Sequence, residues 1–516
     1  MVQSTLTGMT LDPAANEPLY RQLFDQIVAR IRTGAYSPGH RLPPTRDLAR
    51  ELATNRNTVV HAYAELEAAG FVTSTVGRGT FVASSPAASS APARPSASAR
   101  PVNAAGMPWP SLVSRVADAE PLGRYDRLAF RGPSKDAINL TRMQPSADLL
   151  PDGLFRRCVD HVLRTQGAKA LGYAPREGLP ALRAQIVADL ARQGVPAAAD
   201  DLIITTGSQQ GLYALARMLI NPGDAFLVED STYAGAINVL TAAGARLISV
   251  PSDDEGPELA ALERLTHSGA KGLYLMPGCN NPTTRQISAK RRERLLDWSH
   301  RAGVPLIEDD YAADLHLDGD PPPATLRAMD GDVLYIGTYS KKLIPALRIG
   351  FVLIPPALRP RLLALKHAMD LGTSLLAQHA LAELLERGYL KAHLARVLPE
   401  YRRRRDALSS ALARYASPLR FTLPRSGLIL WLPLPAAIAP EALFDEAQRQ
   451  GVLVSPSTLH SASGSGSAQG GIRLTFCPEP PDRLAEGAKR LGRALAAIAE
   501  RYKLNPETGA PQLGAV

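Results

Sequence analysis

Leu19, Leu23, Ile27 and Ile31 recur every four residues, with Tyr20 and Phe24 beside them, and this pattern predicts a helix with one apolar stripe facing a core. A second helix over about residues 45–53 is predicted after Pro43-Pro44, and a third over about 56–69 after the short Thr54-Asn55 connection, ending at Gly70. Phe71-Val72-Thr73 and Thr80-Phe81-Val82 flank Gly77-Arg78-Gly79 and predict a strand, a turn and a strand. Residues 83–118 are rich in alanine, proline and serine with little to bury, which predicts a partly stiff, extended linker. From residue 119 to 505, helical stretches alternate with short β-rich runs: Leu202-Ile203-Ile204-Thr205, Ala225-Phe226-Leu227-Val228, Arg246-Leu247-Ile248-Ser249-Val250, Gly272-Leu273-Tyr274-Leu275, Pro305-Leu306-Ile307 and Val333-Leu334-Tyr335-Ile336. Runs of this kind predict buried parallel strands in an α/β domain, with functional residues just beyond the strand ends.

A chain of 516 residues with 45% hydrophobic and 21% charged residues has room for two or three folded domains. Cys158, Cys279 and Cys477 are few and scattered, which argues against a disulfide framework and a metal cluster and favours a reducing cytoplasm. The N-terminus lacks a signal-peptide pattern, and the apolar run at 428–439 is too short and proline-broken to span a bilayer, so a soluble protein without a membrane partner is expected. A net charge of +9 is compatible with nucleic acid, yet residues 1–82 hold eight arginines against seven acidic groups, so charge alone does not identify a DNA-binding segment. The Arg402-Arg403-Arg404-Arg405 run reads as a solvated helix face.

Two short helices joined so tightly have the shape of a helix-turn-helix, and the hairpin after them would form a wing. Leu42-Pro43-Pro44-Thr45-Arg46, Arg56-Asn57-Thr58-Val59, Ala62-Tyr63, Leu66-Glu67, Gly70 and the stretch from Gly77 to Val82 together resemble the GntR-type winged helix, over residues 13–82. The resemblance implies double-stranded operator DNA as partner, with Arg46 and the start of the third helix in the major groove. Arg56, Asn57 and Thr58 carry suitable groups for base edges and phosphates, and Arg78 sits on the wing. Helix capping is the alternative role for Asn57 and Thr58; Val59, Tyr63 and Leu66 read as core.

Farther along, Gly337-Thr338-Tyr339-Ser340-Lys341 and Leu347-Arg348-Ile349-Gly350 place an amine beside hydroxyls and a permanent cation. An aldehyde cofactor with a phosphate, pyridoxal phosphate (PLP), needs that set. Thr206-Gly207-Ser208-Gln209-Gln210 opens a helix whose N–H groups suit a phosphate. Glu229-Asp230-Ser231-Thr232-Tyr233, Asn280-Asn281-Pro282-Thr283 and Glu308-Asp309-Asp310-Tyr311 add an aromatic face, an amide, a phenol and a carboxylate suited to a pyridine nitrogen.

In this order the set resembles a fold-type I PLP-dependent aminotransferase with a smaller C-terminal α+β subdomain. The resemblance implies that Lys341 binds the cofactor covalently, Asp309 pairs with the ring nitrogen, Asn281 and Tyr311 hold the ring oxygen and Tyr233 stacks. It also implies that Gly207, Ser208, Gln209, Thr338, Ser340 and Arg348 surround the phosphate, that Tyr173 reaches the phosphate of a partner subunit, and that Arg473 takes a substrate α-carboxylate. Lys342 is the alternative to Lys341. A GntR-type reader joined to this fold resembles the MocR subfamily, which implies a head-to-tail homodimer that senses PLP or an adduct of PLP with an amino-acid or amine effector. The rival reading is a working aminotransferase with an accessory DNA-binding domain. GABA-responsive members carry an arginine two residues after the stacking tyrosine; Gly235 here leaves a second carboxylate without that receptor.

Overall fold

The computed structural model describes residues 2–3, 9–12, 18–32, 35–37, 39–75, 79–83, 109–129, 136–417, 419–463 and 470–502. Arg78 and most of the expected 83–118 linker lie outside these residues. The chain divides into two compact units, Met1–Pro108 and Trp109–Val516.

In the first unit, α1 (Leu19–Arg32), α2 (Thr45–Glu51) and α3 (Arg56–Ala68) precede the strands β1 (Val72–Thr75) and β2 (Gly79–Val82). Leu23 and Ile27 of α1, Leu48 of α2 and Val59, Ala62 and Leu66 of α3 are wholly buried in one core, each large side chain contributing about 1.5–3 kcal/mol. α2 stops two residues short of the expected end because Ala53 adopts φ 45°, a left-handed turn that redirects the chain. Asn55 then starts α3, its side chain accepting the Asn57 N–H at 2.9 Å. The Tyr63 hydroxyl donates to the Pro43 carbonyl at 2.8 Å and ties α3 to the segment before α2. β1 and β2 pair antiparallel, Val72 opposite Val82, and Arg41 bridges to Phe81 at the hairpin's edge.

The second unit is built on a seven-stranded sheet. Its strands are β3 (Leu202–Thr205), β4 (Ala225–Glu229), β5 (Arg246–Val250), β6 (Leu273–Leu275), β7 (Leu306–Asp309), β8 (Leu334–Thr338) and β9 (Gly350–Leu353), in the order β3-β9-β8-β7-β6-β4-β5. The six runs expected as parallel strands share one direction, and β9, which was not among them, lies antiparallel between β8 and β3. Residues 339–349 are fewer than the dozen or so that a parallel crossover needs, so the chain turns straight back. Apolar clusters cover both faces of the sheet, and its strands are buried throughout except in β5. α4 (Ser208–Leu219) leaves the end of β3 through Gly207.

A smaller subdomain holds β10 (Ile429–Pro433), β11 (Ser455–Pro456) and β12 (Gly471–Thr475), antiparallel with β12 central, against the helices α5 (Tyr389–Tyr415) and α6 (Pro481–Arg501). The segment after residue 136 joins it: Ile138 and Asn139 pair in parallel with Val452 and Leu453, and the Thr475 N–H donates to the Leu140 carbonyl at 2.8 Å. Residues 141–143 are thereby delivered to the edge between the two sheets.

The arginine run on α5 is the solvated face expected only at Arg402 and Arg403, which are exposed. Arg404 and Arg405 are buried. Arg404 donates to Glu400 at 2.7 Å and to the Cys477 carbonyl at 2.8 Å, and Arg405 to Asp318 at 2.6 Å and to the Pro424 carbonyl at 2.9 Å. A guanidinium has five donors, and burial is tolerable only where acceptors meet them; the neighbours that provide them are distant in sequence.

One local stability test follows from the α3 cap. Asn55→Ala leaves the Asn57 N–H without its side-chain acceptor and costs about 1 kcal/mol. Hydrogen–deuterium exchange of the full chain should show roughly fivefold faster exchange in the first turn of α3 and none in α5; unchanged exchange at α3 would contradict the assigned cap.

Candidate functional site

The chemistry-bearing residues of the second unit gather in one cavity of about 500 Å³ at the ends of β3, β7 and β8. Asp309 is the last residue of β7. Its Oδ2 accepts the Tyr274 hydroxyl at 2.7 Å, while its Oδ1 is buried with no hydrogen-bond partner among the described residues. Burial pushes the Asp309 pKa up to about 6 despite the tyrosine's bond. A buried carboxylate oxygen without a partner is costly, and the ring N–H of a protonated pyridine is the kind of donor that would meet it.

Lys341 stands across the cavity, half-buried, its Nζ donating to the Met143 carbonyl at 2.9 Å. Burial, with Arg473 and Arg348 nearby, lowers its pKa and favours the neutral amine that attacks a carbonyl. Lys342 is built for another purpose. Burial opposes its charge, but Asp314 at 2.6 Å and Asp189 at 3.6 Å outweigh that and raise its pKa, so it is a buried, paired cation outside the cavity.

One end of the cavity is formed where three backbone segments meet. Gly207 caps α4 at φ 80°, and a Cβ there would lie 2.7 Å from Arg348 Nη2, so glycine lets the guanidinium lie against the helix N-terminus. Gly350, first residue of β9, is tighter: a Cβ would meet the Gly207 carbonyl carbon and the Ser208 nitrogen at 2.7 Å. Arg348 is exposed, makes no ion pair among the described residues and takes φ 49°. Ser208 and Gln209 in the first turn of α4, Thr338 at the end of β8 and Ser340 just after it line the same cavity. The Thr338 hydroxyl accepts the Ser340 N–H at 3.1 Å, holding that loop in place.

Tyr233 lies in the cavity wall, its hydroxyl 3.3 Å from Gln209 Oε1, and its ring occupies the space a side chain at 235 would need: a Cβ on Gly235 would lie 2.4 Å from Tyr233 Cζ. Asn281 accepts from Arg473 Nη1 at 3.1 Å, and Arg473, on β12, also donates to the Thr141 carbonyl at 2.8 Å. The Tyr311 hydroxyl reaches Cys279 Sγ at 3.4 Å, and burial raises the tyrosine's pKa well above its ordinary value, so the phenol stays a donor. Tyr173, expected to reach the phosphate of a partner subunit, lies apart from this cavity: it is 87% exposed, on a separate groove with His367 and Leu371.

Several lining residues went unread in the sequence. Thr141, Arg142 and Met143 arrive by the small-sheet pairing, and His460, whose ring lies 3.1 Å from the Ser455 hydroxyl, is held uncharged by burial and by Arg473. Tyr274, which orients Asp309, stands in a β-rich run that reads as core.

In the first unit, Arg46, in the first turn of α2, and Arg56 and Asn57, at the start of α3, are exposed, and Thr58 is half-buried. Asn55, not Asn57 or Thr58, supplies the capping side chain. Arg41, also exposed, extends over Gly79 of the wing, a Cβ there lying 2.9 Å from Arg41 Nε; its isolation between Gly39 and Leu42 gave no pattern to read.

The donor set fits pyridoxal phosphate: an amine biased to its neutral form, a carboxylate oxygen awaiting a donor, and a glycine-lined helix N-terminus beside an arginine. Comparison with known proteins agrees. Residues 19–82 match the bacterial regulatory proteins of the gntR family, and residues 137–491 match aminotransferase class I and II. The chain is 32% identical over 98% of its length to a probable rhizopine catabolism regulatory protein MocR of Rhizobium meliloti, covering 99% of that protein. It is 33% identical to a 2-aminoadipate transaminase of Thermus thermophilus, over 69% of this chain and 89% of the relative. The crystal structure of LysN, an alpha-aminoadipate aminotransferase of the same organism complexed with N-(5'-phosphopyridoxyl)-L-leucine, superposes with a TM-score of 0.70 at 30% identity, covering 77% of this chain and all of that one. Joining a winged-helix reader to an aminotransferase fold along its whole length, the chain belongs to the MocR-type GntR regulators, DNA-binding transcriptional regulators that depend on pyridoxal phosphate.

Proposed function

We propose that the chain reports PLP, or PLP carrying an amino-acid or amine effector, to operator DNA in the cytoplasm by changing how firmly a homodimer holds two half-sites. The observation that carries this reading is the intact cofactor cradle in a chain that also exposes Arg56 and Asn57 on a recognition helix. PLP supplies an electrophilic aldehyde and an electron-accepting ring. Lys341 holds it covalently, Asp309 receives the ring N–H, Asn281 and Tyr311 donate to the ring oxygen and Tyr233 covers the ring face. Gly207, Ser208, Gln209, Thr338, Ser340 and Arg348 bind the phosphate, and Arg473 takes an effector's carboxylate. Tyr173, exposed on its own subunit, serves the phosphate of a second copy, which motivates the head-to-tail dimer. Arg46, Arg56, Asn57 and Thr58 contact DNA, joined by Arg78 and by Arg41 on the wing.

Operator binding of the cofactor-free and PLP-loaded full chain, with and without amino acids, tests the reading. A shift of roughly 5- to 150-fold is expected, the usual range of coupling between two sites. Equal affinities together with multiple-turnover transamination would favour the rival enzyme.

Borohydride reduction and peptide mapping should find cofactor on Lys341 and none on Lys342; cofactor on Lys342 would overturn the assignment. Gly350→Ala should weaken PLP retention by roughly tenfold or more, since overpacking here costs about 1–3 kcal/mol; wild-type retention would show that α4 can shift. On the DNA side, Arg56→Ala should cost about 1–3 kcal/mol and relax sequence preference, whereas Arg46→Ala should weaken all sequences alike and reduce the salt slope by about 1. Equal effects on cognate and random DNA for Arg56→Ala would remove it from base readout.

A further inference from the structure

The cationic side chains lining the cofactor cavity are Lys341, Arg348, Arg473 and Arg142, and its lining contains one carboxylate, Asp309. Three of these cations have work in the reading above: the cofactor's aldehyde, its phosphate and an effector's α-carboxylate. Arg142 has none. It is exposed to the cavity and makes no ion pair or side-chain hydrogen bond among the described residues. Its backbone is nevertheless fixed on both sides. The carbonyl before it, Thr141, accepts from Arg473 at 2.8 Å, and the carbonyl after it, Met143, accepts from the Lys341 amine at 2.9 Å. Consecutive Cα atoms are about 3.8 Å apart, so the side chain of Arg142 starts between the atom that reacts and the group that receives the α-carboxylate. An amino acid held at those two points has its α-carbon between them, and its side chain leaves from there, within reach of Arg142.

The remaining lining does not offset this charge. His460 is uncharged, and Asp309 lies at the base of the site, committed to Tyr274 on one oxygen. Gly235 contributes nothing beyond space for Tyr233. The second-anion receptor missing at 235 is therefore present at 142, on a different segment.

Resting on the reading of this cavity as the effector site, we propose that Arg142 is its specificity-determining residue and that the effector is an α-amino acid with a side-chain carboxylate, of the aspartate or glutamate class. Exchanging the roles of Arg142 and Arg473 leaves the count unchanged: two guanidinium groups remain for two carboxylates. Each can make a charge-assisted, bidentate bond that an amide or an alkyl group cannot replace.

The test is titration of the PLP-loaded full chain with L-aspartate, L-glutamate, L-asparagine, L-glutamine and L-leucine, followed by cofactor absorbance and by calorimetry. One of the two acids should bind roughly ten- to hundredfold more tightly than its own amide, the range of a charge-assisted hydrogen bond. Arg142→Gln should abolish that preference while changing L-leucine affinity by less than about threefold, and Arg142→Lys should keep part of it. Acids that bind no better than their amides, or a preference that survives in Arg142→Gln, would overturn the inference while leaving the effector site intact. A uniform loss across all five ligands in Arg142→Gln would make it a general carboxylate receptor and would also overturn the specificity role. If no amino acid perturbs the cofactor, both this inference and the amino-acid form of the proposed function fall, leaving PLP alone as the signal.

Discussion

A buried carboxylate with one oxygen satisfied and the other not is the constraint around which the second unit is organised. Asp309 ends a central strand, takes the Tyr274 hydroxyl on Oδ2 and leaves Oδ1 without a partner among the described residues. Folding places this charge out of water at a cost that shows in its raised pKa. A ring nitrogen carrying a proton would offset that cost, so on the proposed reading cofactor binding and the stability of the strand ends are linked in the same direction. The other walls follow: Lys341 emerges after β8, next to β7 in the sheet, and α4 presents its N-terminus from the outer strand β3, held close by two glycines.

The antiparallel strand β9 makes this arrangement possible. It carries Arg348 at its entrance and Gly350 at its first residue, and it lies between the lysine-bearing strand β8 and the helix-bearing strand β3. A parallel crossover would have moved Arg348 away from the N-terminus of α4. Strand direction at one position thus sets how Lys341 and Arg348 stand relative to each other.

Much of this was legible in the sequence where chemistry is local. The stripe of α1, the short connection between α2 and α3, and the order of Gly207, Asp309, Lys341 and Arg348 at strand ends each depend on neighbouring residues. What escaped depends on contacts distant along the chain. β9 is decided by the length of a loop. Arg404 and Arg405 look like surface until Cys477, Asp318 and Pro424 are brought to them. Tyr274 reads as core until its hydroxyl finds Asp309, and Arg142 is unremarkable until the pairing of residues 138–139 with 452–453 carries it to the cavity.

The central claim is that cofactor and operator occupy one thermodynamic system, although each unit has its own core. Coupling of binding free energies is reciprocal, so DNA must alter cofactor affinity by the same factor that cofactor alters DNA affinity. Titrating the cofactor-free full chain with PLP, followed by absorbance, with and without saturating operator, measures this directly. The account predicts two PLP dissociation constants that differ by roughly 5- to 150-fold, matching the shift in operator affinity caused by PLP; one PLP dissociation constant in both conditions would contradict it.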